Sequence, residues 1–489
     1  MKTTHIPALC LYVWMLGAAA STPELNVRPV APGSGNSLPG NGITLLGGDG
    51  YDDSRNSSCD AQGACTLYGY SNKSFGDSTD YLIIHLTPSG APDWARTYGG
   101  TNRDELRYAV PASDKGALLV GMSQSLFYTS LKIFSPSKPP RPFLVRVDAQ
   151  GNAEWAMTMD IDGVGSSMLQ FDHAIQTPDG GFILAGIYEV GPSASMHAAG
   201  EKAWTWNGSA PDFGDKGYGT MALARLGADG HVLWLKRYSV ANDTTAAWGV
   251  RVDPDGHLLV LAHMSEKDNL LWLHLDADGH VLNAQAMTDP QVSGPELIPS
   301  TDGGMAVIAW SRPVSTGPGG LFAARYAASG EIKWAREYTY SAPIASMDAA
   351  FASPDTLCVV GRLNGGDQSR PVAMALDATG NLNAALTFGE TKPTEFTGVS
   401  PLAHSQCLLV GDTADYGAEH TNLLISAWDP SHDQNGLTAK FAQTTFNPKL
   451  EPISVVEATT DTKDLHLLPL SQLTTEAIQV PTAGGDSKK

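Results

Sequence analysis

Charge is sparse in this sequence, and positive charge most of all. Asp, Glu, Lys and Arg make up 17% of 489 residues, with 31 basic against 51 acidic side chains and a net charge of −20. That sign opposes nucleic-acid binding and docking to anionic lipid. Long apolar runs are lacking too: the one near the N-terminus, Ile6–Ala20, has about fifteen residues where a spanning helix needs about twenty. No later stretch is longer, which argues against a membrane span. Cysteine is scarce at five residues, and no Cys-x-x-Cys or His-rich spacing suggests a structural zinc. Neither a Gly-x-Ser-x-Gly elbow, a phosphate-binding loop nor His-Glu-x-x-His is present, so no local motif specifies an enzyme.

What is abundant is turn chemistry, with 51 glycines and 31 prolines in a chain that is 42% apolar, a globular rather than a disordered composition. Lys2, the apolar run and Ala18-Ala19-Ala20 before Ser21 have the layout of a secretory signal, so residues 1–20 are expected to be removed and the protein to be secreted or periplasmic. In an oxidising compartment Cys59 and Cys65, flanking a short Asp60–Ala64 turn, are placed to form a cross-strand disulfide. Cys358 and Cys407 occupy similar strand-like stretches, offset by one residue relative to the next glycine. They are therefore expected to face opposite sides of their strands and not to pair.

One unit recurs in two alternating halves. The first is clearest in Asp172–Gly186, with relatives at Ala109–Gly121, Gly249–Ala262, Leu297–Ala309, Ala349–Gly361 and Gly398–Gly411. The second is clearest in Met221–Tyr238 and recurs at Tyr81–Tyr98, Phe143–Met157, Leu270–Met287, Leu321–Tyr338 and Val372–Thr387. Each half is two β-favouring runs around an Asp/Gly turn, a hairpin signal, and two hairpins make a four-stranded antiparallel sheet. The second-half turn glycines at Gly230, Gly279, Gly330 and Gly380 are spaced by 49, 51 and 50 residues, the length of a propeller blade. The expected fold is all-β: a single β-propeller over residues 42–481, flanked by mobile segments 21–41 and 482–489. Eight blades are favoured, with seven as the alternative. The eighth uses Val455–Leu470 as a first half, while Gly42–Gly47 and Ala477–Val480 supply the remaining hairpin, so that an N-terminal strand closes the ring.

Trp94, Trp155, Trp234 and Trp334 each sit four residues after a turn glycine, as in Ala228-Asp-Gly-His-Val-Leu-Trp234 and Ala328-Ser-Gly-Glu-Ile-Lys-Trp334. These segments resemble the tryptophan repeats of quinoprotein-type (PQQ-like) propellers, and the Asp-Gly-Gly hairpins resemble those of secreted bacterial repeat proteins of unassigned role. The resemblance implies the fold over roughly residues 42–480. The quinone-dependent enzymes of that superfamily are implied to use a vicinal disulfide, and no adjacent cysteines occur here, so no cofactor is expected. The non-catalytic relatives that scaffold envelope proteins match better.

Asp-rich turns such as Asp160–Gly163, Asp253–Gly256 and Asp276–Gly279 could suggest calcium, but each offers two carboxylates and no later Glu, and Asp-Gly is what a tight turn needs. No metal is assigned. Asp172, Glu296 and Asp348 fall on or near first strands, at the mouth of the expected central channel; a hydrolase or lyase acting on polysaccharide would draw its carboxylates from there. Two insertions between halves, Ser123–Arg141 and Glu189–Gly219, leave adjacent blades on one face. They carry Phe127, Tyr128, Lys132 and Lys138, and His197, Lys202, Trp204 and Trp206, which suit contact with a protein or glycan partner. Their alternative use is to pack on each other over the propeller. The reading favoured is a secreted, monomeric, non-catalytic binding or scaffolding propeller.

Overall fold

The computed structural model describes residues 26–30, 43–47, 50–72, 79–100, 102–124, 140–159, 167–190, 218–241, 243–311, 319–363, 369–388, 393–414, 421–431, 434–446, 448–460, 467–468 and 474–478. The signal segment, the terminal tail and all eight insertion residues named above, Phe127 to Lys138 and His197 to Trp206, lie outside them.

The described residues form seven antiparallel sheets in chain order. Blade 1 is Tyr51–Cys59, Cys65–Asn72, Thr79–Leu86 and Pro92–Gly99. Blades 2 to 6 repeat it over 104–158, 167–239, 245–289, 292–339 and 344–387. Blade 7 takes Thr394–Pro401, Cys407–Thr413 and Asn422–Trp428 from the later chain, and Ile43–Gly47 pairs with the last of these through Thr44 opposite Ile425.

Both faces of every blade are covered by its neighbours, which is why the middle strands read as unbroken apolar runs rather than alternating ones. Phe182 and Leu184 pack toward blade 2, whereas Ile183 and Ala185, one residue out of phase, pack toward blade 4. The core is thus seven radial wedges, the last of which joins Leu408 and Val410 of blade 7 to Leu67 and Ile84 of blade 1 and completes the ring.

The tryptophans fix neighbouring blades to each other. The Trp94 ring lies against Gly151 in the outer turn of the next blade, Trp155 against Gly230, Trp234 against Gly279 and Trp334 against Gly380. Trp155 and Trp334 also donate their indole N–H to the carbonyls of Ala228 and Ala378, at 3.1 and 2.9 Å. Four residues on, Tyr98, Tyr238 and Tyr338 donate to the carbonyls of Gly151, Gly279 and Gly380 at 2.5, 2.7 and 2.5 Å. Where blade 4 has Asn283 in the tryptophan's place, the next turn glycine, Gly330, faces open space. The turn aspartates serve these turns: Asp276 Oδ1 accepts the amides of Asp278 and His280 at 3.0 and 2.8 Å, and Asp377 Oδ1 those of Thr379 and Asn381 at 2.8 Å each.

Two expectations are corrected. The described residues form seven blades: of the segments assigned to an eighth, Ile43–Gly47 is the fourth strand of blade 7 and the others lie on the rim of blades 1 to 3. After a 3-10 helix, Gln434–Lys440, whose Leu437 packs with Leu382 and Ala385 of blade 6, the chain runs backwards around the outside. It adds Ala442–Thr445 to blade 5, Lys449–Pro452 to blade 4, Val456–Thr460 to blade 3, Leu467–Leu468 to blade 2 and Thr474–Ile478 to blade 1. Asn26–Val30 does the same for blade 7. Edge pairing asks only for β-compatible backbone, so such strands carry the same composition as blade strands. Second, Cys358 and Cys407 do form a disulfide, beside Cys59–Cys65. The offset between them was read correctly and its consequence inverted: in a ring of like sheets, the forward side of blade 6 meets the backward side of blade 7, so opposite facing brings the sulfurs together.

Candidate functional site

Each innermost strand carries a β-bulge at the same register. Pairing with the second strand skips Arg55 in blade 1, Arg107 in blade 2, Asp172 in blade 3, Trp248 in blade 4, the Gly294-Pro295 step in blade 5, Met347 in blade 6 and Thr397 in blade 7. A bulge re-aims the extra side chain and bends its strand. The glycine or alanine that ends each first-half repeat sits opposite. A Cβ at Gly121 would come within 2.1 Å of the Glu105 carbonyl oxygen, and one at Gly186 within 2.0 Å of that of Gln170. At these positions the glycine gives room for the bulged backbone, and blades 4 and 5 form their bulges with Ala262 and Ala309 in its place.

The bulged polar residues of blades 1 to 3 form one charged cluster around the channel. Arg55 donates to the Tyr70 hydroxyl at 3.2 Å and lies over its ring at 5.0 Å. Burial works against the Arg55 charge, but Tyr70, Asp53, Glu105 and Asp412 outweigh it and hold the guanidinium protonated. Glu105 is gripped by Arg103 and by Arg107, the latter at 3.4 Å, and sits below the usual carboxylate range although burial opposes this. Asp172 accepts from Gln170 Nε2 at 2.5 Å; burial raises its pKa, and Arg107 and Arg55 pull it back. Glu189, two residues before the second insertion leaves the described chain, is buried and pushed up to about 7, first by burial and then by the Asp172 charge. The base of the insertion thus abuts the channel cluster.

The next residue on each inner strand forms a second tier. Asn56 donates to the Ala109 carbonyl at 2.8 Å, linking blades 1 and 2. Tyr108 and His173 pack with ring centroids 4.6 Å apart, linking 2 and 3, and burial lowers His173 to about 4, so that the imidazole is neutral. Glu296 and Asp348 hydrogen-bond to each other across blades 5 and 6. Asp348 also accepts from the Val399 and Ala349 amides at 2.7 and 2.8 Å. Burial and the Asp348 charge push Glu296 well above its ordinary value, so Glu296 keeps the proton and donates it to Asp348, whose anion the two backbone amides stabilise. Burial raises the phenol of Tyr108, and the acidic Glu296–Asp348 pair adds to that.

Of the residues singled out from sequence, Asp172, Glu296 and Asp348 lie on inner strands, in different groups: Asp172 with two arginines, Glu296 and Asp348 as a bonded pair. Sequence reasoning missed Arg55, Arg107, Tyr108, His173 and Glu189. Arg55, Arg107, Tyr108 and His173 carried a signal, since each falls a fixed distance before the glycine that ends its first-half repeat; Glu189, which follows that glycine on a second strand, did not. The described ends of both insertions leave from the same side, after Ser123 and Glu189 of their second strands. Among the described residues no group of three or more His, Cys, Asp or Glu is disposed to hold a metal ion, and no helix is long and apolar enough to cross a membrane.

No family model and no curated protein matches the chain. Among solved structures it is similar to a protein of unknown function from Dyadobacter fermentans, at 9% identity over 82% of this chain and 98% of that one, TM-score 0.39. The polysaccharide lyase Uly1 is similar at 10% identity over 75% and 88%, TM-score 0.42. Chaetomium thermophilum Sqt1 bound to the N-terminus of ribosomal protein L10 is similar at 12% identity over 77% and 97%, TM-score 0.38. At such scores these likenesses carry no functional argument.

Proposed function

We propose that the protein is a non-catalytic binding or scaffolding propeller of the tryptophan-docked, quinoprotein-like kind, acting outside the cytoplasm, whose protein or glycan partner meets the face bearing the two insertions. The observation that supports the reading is that Glu189, near the end of the second strand of blade 3 and close enough to the inner-strand Asp172 to feel its charge, lies just before the segment 191–217, whose sequence is rich in aromatics. Loops raised on a rigid sheet scaffold are the usual place for recognition. Two disulfides support an oxidising compartment.

The alternative, a polysaccharide hydrolase, is supported less. The Glu296–Asp348 carboxyls are bonded to each other, whereas glycoside hydrolysis needs them roughly 5 to 9.5 Å apart to admit the reacting carbon or a water. The test is a pull-down from envelope or culture extract with the intact chain and with Trp204→Ala/Trp206→Ala. If those rings are central contacts, each truncation weakens binding by about 2 kcal/mol while the fold is retained. Equal recovery of every partner by both proteins rejects the face.

A further inference from the structure

The fourth strand in each of blades 1 to 6 carries a β-bulge of its own beside the outer turn. Pairing with the third strand skips Asp93, Glu154, Leu233, Leu282, Lys333 and Asn383 in turn, and all six residues are exposed. A bulge re-aims the extra side chain, and here it aims that side chain at water. Four of the blades put a polar residue there. Blades 3 and 4, which are neighbours, put leucine, 54% and 55% exposed.

Val456, 66% exposed at the start of the rim strand on blade 3, belongs to the same seam. Its chain neighbour Val455 packs with Trp234 and Val281, the chain neighbours of Leu233 and Leu282, over the wedge between blades 3 and 4. Glu457, next along the rim strand, accepts from Lys236 of blade 3 at 2.7 Å and from the Val281 amide of blade 4 at 3.4 Å. Of the four large apolar side chains more than half exposed among the described residues, three therefore lie along one seam; the fourth is Tyr51 of blade 1. Single apolar residues on a surface are ordinary, but several gathered in one place mark an interaction site.

The charges around the seam set the kind of partner. Asp229 in the outer turn of blade 3, Asp278 in that of blade 4 and Glu451 on the rim strand of blade 4 are exposed, against Lys449 on that same strand. Lys236 is buried and already bonded to Glu457. A second copy would bring the same carboxylates against these, in a chain of net charge −20. A cationic amphipathic segment instead sets its apolar side chains on the leucines and its lysines or arginines beside the carboxylates. We infer that the outer seam of blades 3 and 4 is a docking surface for a basic, amphipathic segment of a partner protein. The leucines lie at the outer-turn ends of their strands, and the second insertion leaves blade 3 at the opposite end. This surface is therefore additional to the insertion face and lets one propeller hold two partners.

The experiment follows the fluorescence anisotropy of three labelled peptides of equal length with the full chain at physiological salt: an amphipathic helix of Leu and Lys, its Leu and Glu counterpart, and a Ser and Lys peptide of the same charge as the first. The Leu/Lys peptide is expected to bind saturably and the Leu/Glu peptide not to bind. The Ser/Lys peptide, which lacks apolar anchors, should bind about ten-fold more weakly. Leu233→Asn/Leu282→Asn should weaken Leu/Lys binding by about ten-fold and stay folded by circular dichroism, since blade 6 carries Asn383 at the same position. Val456→Thr, which keeps the side-chain shape, should weaken it about three-fold. Trp204→Ala/Trp206→Ala should leave it unchanged. The inference is overturned if the Leu/Lys peptide does not bind, if either other peptide binds equally well, if the folded seam variants bind as the intact chain does, or if the Trp204→Ala/Trp206→Ala variant loses the peptide. Sedimentation that shows the intact chain dimeric and Leu233→Asn/Leu282→Asn monomeric also overturns it, because a second copy then covers the seam.

Discussion

A single glycine shows how local geometry and the ring depend on each other. Gly151 and Gly330 both occupy outer turns at positive φ, 74° and 84°, so alanine at either costs about 1 kcal/mol in backbone strain. At Gly151 the new Cβ would also lie 2.7 Å from the Trp94 ring, whereas at Gly330 it meets nothing. Gly151→Ala is therefore expected to lower the denaturation midpoint clearly more than Gly330→Ala; equal effects would mean that the indole does not dock the blades. Glu189 gives a second residue-scale prediction. Its folded pKa, about 7, exceeds its ordinary 4.5 because of burial and Asp172. The folded state then holds the proton more tightly, so this stability is fully present below pH 4.5 and lost as pH rises through 7, roughly 3 kcal/mol in all. Asp348, raised by burial to about 6, acts in the same direction. Thermal melts should fall between pH 5 and 8, and Glu189→Gln should flatten that fall. The tryptophans were legible from sequence because spacing alone reveals them. The bulges were not, since an extra inner-strand residue leaves no compositional trace except the glycine opposite.

At the scale of elements, hairpins were readable because Asp-Gly turns and β-favouring runs are local. What lies opposite what was not, since it depends on how sheets stack. The Cys358–Cys407 bond shows the difference, joining the second strands of blades 6 and 7 across a sequence separation of 49. On the loop-entropy account, a crosslink of that span stabilises by about 4 kcal/mol, against about 2 kcal/mol for a loop as short as Cys59–Cys65. Replacing Cys358 and Cys407 together by Ala should lower the guanidinium midpoint by more than replacing Cys59 and Cys65. The opposite order would show that the blade 6 to blade 7 junction is held by its apolar wedge, which includes Phe396, Leu409 and Trp428, with little help from the crosslink.

For the whole molecule, the question is what keeps a ring of separately packed wedges from opening. Ile43–Gly47 completes blade 7, and its Leu45 and Leu46 are buried on opposite sides, one against blade 6 and one against blade 1. The C-terminal belt works differently. All four residues of Ala442–Thr445 are exposed and Val456 is 66% exposed, so the belt attaches through backbone pairing together with partly buried side chains at the rim, Phe446 and Leu450 against blades 4 and 5 and Ile453 and Val455 against blades 3 and 4. A local clamp helps where Lys236 bonds Glu457 at 2.7 Å, holding that carboxylate below its ordinary range although burial opposes this. The two segments should then fail in different ways. Removing residues 1–47 takes apolar side chains from two wedges, and is expected to abolish cooperative unfolding or to lower its midpoint severely. Removing residues 442–489 takes only partly buried side chains from the rims of two wedges, with every fully buried wedge residue kept, but bares the outer edges of blades 1 to 5, an open template for pairing with other chains. That shorter chain should keep its β-sheet circular dichroism and lose only a few degrees of melting temperature, while light scattering shows self-association. A belt-deleted chain that stays monomeric would mean that these edges are protected by their own residues, and one that unfolds outright would make the belt part of the closure.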